Sequence, residues 1–141
     1  MNIEREIVID APVEVVWRTI TEPDQIERWF AKHAELDCRE GGDGVLVSES
    51  ATASLVVERV DRPRLFAFRW GHPEGERPRH GNSMLVEFTL VAEGDEQTRL
   101  RVVETGIEAT PRSDDEKEGY AEDHRRGWQI NFDRIAALLH A

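Results

Sequence analysis

The sequence predicts an α+β fold: a curved antiparallel sheet of about six or seven strands around a long C-terminal helix, with two short helices after the first strand. Three observations predict it. Apolar residues alternate with polar ones through most of residues 34–105, in short runs separated by turn residues, the pattern of an antiparallel meander. Helical spacing occurs only before and after that region, which segregates helices from strands. Residues 111–141 form the one helical stretch long enough to cover a sheet face.

The elements follow in order. Ile3, Ile7 and Ile9 with charges between them make Ile3–Ile9 a first strand. Pro12 suits the first turn of a helix, where a missing N–H costs little. Val13, Val16, Trp17 and Ile20 then recur at helical spacing. Glu22 and Pro23 break that helix and start a second, shorter one with Ile26, Trp29 and Phe30 on its apolar face. Strands are expected at 36–39, 45–50, 54–60 and Leu65–Trp70, with a glycine turn at 41–44. Residues 71–82 read as a long polar loop of the kind that often carries function. Residues 83–91 alternate cleanly, a hairpin turn follows at 93–96, and Thr98–Thr105 closes the sheet. Ser113 and Glu116 have the spacing of a capping box at the start of the last helix. Asp114, Asp115, Glu116 and Glu118 crowd its first turns and Arg125, Arg126, Arg134 and His140 come later, the order the helix macrodipole favours. Trp128, Phe132, Ile135 and Leu139 give it an apolar stripe. Gly127 inside a helix suggests that something approaches the backbone there, since glycine costs about 1 kcal/mol relative to alanine. No repeat or linker interrupts the chain, so a single domain over 1–141 is expected.

Charge narrows the partners. Acidic residues number 29 against 18 basic ones, a net charge of −11. Such a field repels phosphate backbones, so neither nucleic acid nor an anionic membrane is an expected partner. Cys38 is the sole cysteine, which fits a reducing compartment. Met1 leads straight into a strand-like run with no signal-peptide pattern, and no apolar run approaches the ~20 residues of a membrane span. A cytoplasmic location is expected.

Strand parity turns Phe66, Phe68, Trp70, Met84, Val86, Phe88 and Val102 toward the last helix, opposite Trp128. These side chains either line a cavity or fill a core; periodicity alone does not decide between them. Glu104 shares the parity of Leu100 and Val102. A carboxyl in an apolar pocket has a raised pKa and can act as a general acid or base. Tyr120, His124 and Asn131 lie on the helix face that looks back at it, so Glu104, Tyr120, His124 and Asn131 form one candidate polar cluster. Glu104, Tyr120 and His124 are the candidate catalytic groups. The alternative places Glu104 at a frayed strand end. His72 and His80 share a loop and His33 lies apart, with no metal-ligand spacing, so neither a metal nor a cofactor is expected.

Ile7-x-Ile9-x-Ala11-Pro12-x-Glu14-x-Val16-Trp17, Thr21-x-Pro23, Trp29-Phe30, Gly41-Gly42, Pro63 with Leu65, Trp70, Thr98-Arg99-Leu100 and Gly127-Trp128 occur in an order that resembles the Hsp90-ATPase-activator-homologue branch of the START/Bet v 1-like superfamily. The resemblance spans essentially the whole chain. It implies a helix-grip fold with a cavity between sheet and helix. It also implies one of several activities: binding of a hydrophobic or aromatic small molecule, a cyclase- or hydrolase-type reaction using Glu104 with Tyr120 or His124, or an interaction module. Trp29-Phe30 is the candidate exposed apolar patch for the last. The eukaryotic co-chaperone of this branch carries an additional chaperone-binding domain for which these 141 residues have no room, so chaperone binding is not expected. A homodimer is compatible with the sequence, which fixes no interface.

Overall fold

The computed structural model describes residues 2–139, so His140 lies outside the described residues. Seven strands form one sheet: β1 (Ile3–Ile9), β2 (His33–Leu36), β3 (Asp43–Val47), β4 (Thr52–Asp61), β5 (Leu65–Trp70), β6 (Met84–Ala92) and β7 (Thr98–Thr105). Helices α1 (Val13–Thr21) and α2 (Pro23–Ile26) follow β1, and α3 (Asp114–Leu139) follows β7 after a single 3-10 turn at Ile107–Ala109. The sheet order is β1-β7-β6-β5-β4-β3-β2 with every neighbouring pair antiparallel. Strands β2 to β7 are therefore a simple meander, and β1 adds to its far edge. This is the helix-grip arrangement.

The core lies between the sheet's inner face and the helices. Ile3 and Ile9 of β1, Val16, Trp17 and Ile20 of α1, Leu100 and Val102 of β7, and Trp128, Phe132 and Ile135 of α3 are all buried. The outer face of the sheet is charged, and Arg99 and Arg101 of β7 pair there with Glu6 and Glu4 of β1. Such exposed pairs contribute little stability. Within the sheet, burial alternates as the pleat requires, so a one-residue slip of β7 would expose Leu100 and Val102 and bury arginines.

The boundary that differs most from the sequence expectation is that of β2. The strand expected at 36–39 is β2, three residues earlier. At Asp37 the chain folds back: Arg39 N–H bonds the Asp37 carbonyl at 2.8 Å, and Gly42 approaches that carbonyl so closely that an added Cβ would sit 2.0 Å from it. Leu36 ends β2, and the alternation that runs on to Cys38 belongs to this turn. The α3 N-terminus carries the capping box, with Ser113 N–H donating to Glu116 Oε1 at 3.1 Å and Glu116 N–H donating to Ser113 Oγ at 3.2 Å. No basic residue occupies the last described turn, so the macrodipole is complemented at the N-terminal end by Asp114, Asp115 and Glu116.

The close approach expected at Gly127 does not occur. A Cβ at Gly127 or Gly119 would meet open space. The Gly119→Ala variant is therefore expected to raise stability by up to ~1 kcal/mol, through helix propensity alone. A thermal midpoint a few degrees above wild type is the expected reading; a lower one would mean that the glycine serves a packing need.

Candidate functional site

Register places Glu104 one residue from the end of β7, flanked by Ile3 on β1 and Val86 on β6. Its parity turns it inward and it is fully buried. An isolated carboxylate there would be expensive. Four donors converge on it. Trp70 Nε1 and Tyr120 Oη donate to Oε2 at 2.8 and 2.7 Å. His124 Nδ1 and Trp128 Nε1 donate to Oε1 at 2.8 and 3.0 Å. Each oxygen accepts two bonds, so the acceptor capacity of an ionised carboxylate is filled.

The sequence geometry explains the convergence. Tyr120, His124 and Trp128 follow one another at intervals of four on α3, forming a single stripe. Trp70 ends β5, where its side chain crosses β6 to reach β7. Gly71, in the left-handed region at φ +73°, turns the chain there, and its carbonyl accepts a bond from Arg112 at 2.8 Å. The same arginine lies over the Tyr120 ring, 4.9 Å from its centroid. Loop and helix are thereby tied on either side of the tyrosine.

The electrostatics reverse the sequence expectation for Glu104. Burial pushes its pKa up, but the hydrogen bond from His124, that ring's charge when it is protonated, and the Trp128 and Tyr120 donors outweigh burial and leave it below the usual carboxylate value. Glu104 is thus a firmly ionised, fully occupied acceptor rather than a proton donor. Tyr120 is pushed well above its ordinary value, first by burial and then by the neighbouring carboxylate. Asn131 does not join this cluster. Its Oδ1 accepts from Arg134, and Trp70 and Trp128 take the places expected of it.

Around the carboxylate the aromatic rings pack against one another. Trp70 and Trp128 stack at 5.8 Å, and Phe88 meets Trp128 edge-on at 5.5 Å. Phe66, Phe68, Phe88 and Trp128 border a narrow space of about 20 Å³, room for roughly one water. Met84, Val86 and Val102 are completely buried beneath them. Six of the side chains expected on a cavity wall, Phe66, Phe68, Met84, Val86, Phe88 and Val102, are thus packed core. Trp29 is also core rather than exposed patch: it is 4% exposed, and its Nε1 donates to the Thr19 carbonyl at 2.8 Å.

The open space lies nearer the surface, between α3 and the ends of β3, β4 and β5. A groove of about 280 Å³ is bordered by Phe30, Leu46, Ala53, Trp70, Tyr120 and His124, among others. A second, of about 410 Å³, continues from it past Trp128 and Asn131. Phe30, Ser48, Trp70 and His124 border both. Phe30 is half-buried against Trp70 and Trp128, at 5.9 and 5.8 Å, and also borders the narrow space, so its ring lies between the groove and the interior. Of the expected site residues, Trp70, Tyr120, His124, Trp128 and Asn131 reach open space. Phe30, Leu46 and Ala53 were not expected there; the aromatic pair Trp29-Phe30 was the available signal. In the 71–82 loop, His72 hydrogen-bonds Ser54 at 3.1 Å and faces a different depression, beside Arg112. Among the described residues no group of His, Cys, Asp and Glu could hold a metal ion, and no helix is long and apolar enough to cross a membrane.

A seven-stranded antiparallel sheet gripping a long C-terminal helix, with a groove where they part, defines a helix-grip protein of the START/Bet v 1-like class. Within that class the chain belongs to the family of Activator of Hsp90 ATPase homolog 1-like proteins, whose model matches residues 10–140. Solved structures agree on the fold. The protein MLL2253 of Mesorhizobium loti superposes with a TM-score of 0.80 at 22% identity, over 99% of this chain and 96% of that one. An HSP90 activator from Plasmodium falciparum gives 0.78 at 21%, over 99% and 96%. CalU16 from Micromonospora echinospora gives 0.72 at 28%, over 99% and 74%. No curated protein matches the sequence.

Proposed function

We propose that the protein binds a hydrophobic or aromatic small molecule in the groove between α3 and the ends of β3, β4 and β5. One observation carries this reading: a concave, mainly apolar surface of about 280 Å³, with Phe30, Leu46, Ala53 and Trp70 on its walls and only Ser48, Tyr120 and His124 offering polar side chains. Apolar walls with a few convergent polar groups are the usual make-up of a small-molecule site. The net charge of −11 favours a neutral or cationic ligand over an anionic one. Glu104 has no free lone pair to offer a substrate, so chemistry that uses it directly as acid or base is disfavoured.

Naphthalene is a suitable probe. Ten carbons in an aromatic groove correspond to a Kd of about 10–100 µM. Saturable shifts of the Trp70 indole N–H resonance would follow its binding. Ala53→Trp, which fills the groove from β4 and replaces none of the donors to Glu104, is expected to weaken binding at least tenfold with an unchanged unfolding midpoint. Unsaturable shifts in wild type, or equal affinity in the variant, would place the site elsewhere.

A further inference from the structure

His124 is held by one edge and open at the other. Its Nδ1 lies 2.8 Å from Glu104 Oε1, and Glu104, ionised and fully bonded, can only accept. The Nδ1 proton is therefore fixed on the ring. His124 stacks on Tyr120 at 3.8 Å and meets Trp70 edge-on at 5.8 Å, which fixes its plane as well. Nε2 makes no hydrogen bond and is not buried, and the residue borders both parts of the groove. In a neutral ring so oriented, Nε2 carries a lone pair and no proton. The charged and titratable groups around it are Glu104 beneath, Tyr120 and Asp123 from the same helix, and Arg112 over the tyrosine ring.

We propose that His124, positioned by Glu104, is the specificity group of the groove and presents a hydrogen-bond acceptor to a flat aromatic ligand bearing a hydroxyl donor. This rests on the groove as the binding site. The indole walls of Trp70 and Trp128 accept a planar ring, and the Nε2 lone pair at their edge discriminates a ring hydroxyl from a methyl ether or a bare hydrocarbon. Glu104 is a positioning residue in this arrangement. It sets the tautomer and never meets the ligand.

Two measurements test it. In wild type at pH 8, nitrogen-15 NMR of the histidine side chains is expected to show His124 protonated at Nδ1 and bare at Nε2, the reverse of the tautomer favoured by free histidine. An Nε2–H form, or a ring protonated at both nitrogens, overturns the proposal and leaves the groove reading untouched. In titrations, 2-naphthol is expected to bind about fivefold tighter than 2-methoxynaphthalene, the ratio expected for one hydrogen bond. The ratio should fall to about one in His124→Phe, which keeps a ring on Tyr120. Equal binding of the two probes to wild type overturns the proposal alone. Failure of both probes and of naphthalene to bind overturns the groove reading and the proposal together.

Discussion

Glu104→Gln is expected to lower the unfolding free energy by about 3–5 kcal/mol, the loss typical of breaking a buried charged cluster from one side. The substitution keeps the shape of the side chain and changes only its hydrogen-bonding sense. A carboxylate accepts all four bonds from Trp70, Tyr120, His124 and Trp128. A glutamine amide accepts at one oxygen and turns its NH₂ group toward two former donors, and on either side one of the two is an indole N–H, which cannot accept and is left buried and unpaired. Urea unfolding with an unchanged slope and a much lower midpoint is the expected reading; a loss below about 1 kcal/mol would mean that the cluster does not depend on the charge. The pH dependence follows from the same shift. The folded pKa lies below 4.5, the ordinary value for a glutamate. The stability this group contributes is therefore fully present above 4.5 and is lost as pH falls through the folded value. Wild type should lose stability more steeply than Glu104→Gln below pH 4.5, and the two curves should converge in acid.

Much of the architecture is legible in the sequence because it rests on period and on capping chemistry. The two-residue alternation of Thr98–Thr105 finds its strand exactly where the pleat needs it, since Leu100, Val102 and Glu104 must share a face. The Ser113 and Glu116 pair marks the helix start because the two side chains satisfy each other's backbone donors. The same parity argument points to Glu104, Tyr120 and His124 as neighbours. What alternation does not carry is fill: Phe66, Phe68 and Phe88 have the same spacing whether they line a cavity or close it, and here they close it. Nor does it carry the sign of the Glu104 shift, which depends on Trp70 and Trp128 turning their indole N–H groups toward one carboxylate from a strand and a helix far apart in the chain. The groove depends on Phe30, which shares the apolar face expected of the second helix with Ile26 and Trp29, and that period does not tell which of the two aromatics is buried and which borders open space.

Trp128 joins the stability of the cluster to the wall of the groove, and two substitutions separate those roles. Trp128→Ala is expected to cost about 4 kcal/mol or more, since a large buried aromatic is removed. Its partners Trp70, Phe88, Phe30 and Phe132 lose their common neighbour, and Glu104 Oε1 loses a donor. Trp128→Phe retains most of the ring contacts and removes the N–H. Its expected cost is about 1.5–3 kcal/mol, the range for a hydrogen bond to a charged group. The two variants should also part in binding. With the phenyl ring in place, the groove keeps its wall beside Gly127 and naphthalene affinity should stay within about twofold of wild type. With alanine, the groove and the narrow space beside it merge into one larger opening, and the probe should bind with changed affinity and shift Phe88 resonances that wild type keeps out of reach. Equal stability of Trp128→Phe and wild type would show that three donors suffice to hold the carboxylate. Equal stability of the two variants would instead show that the N–H, and not the packing, is what Trp128 contributes.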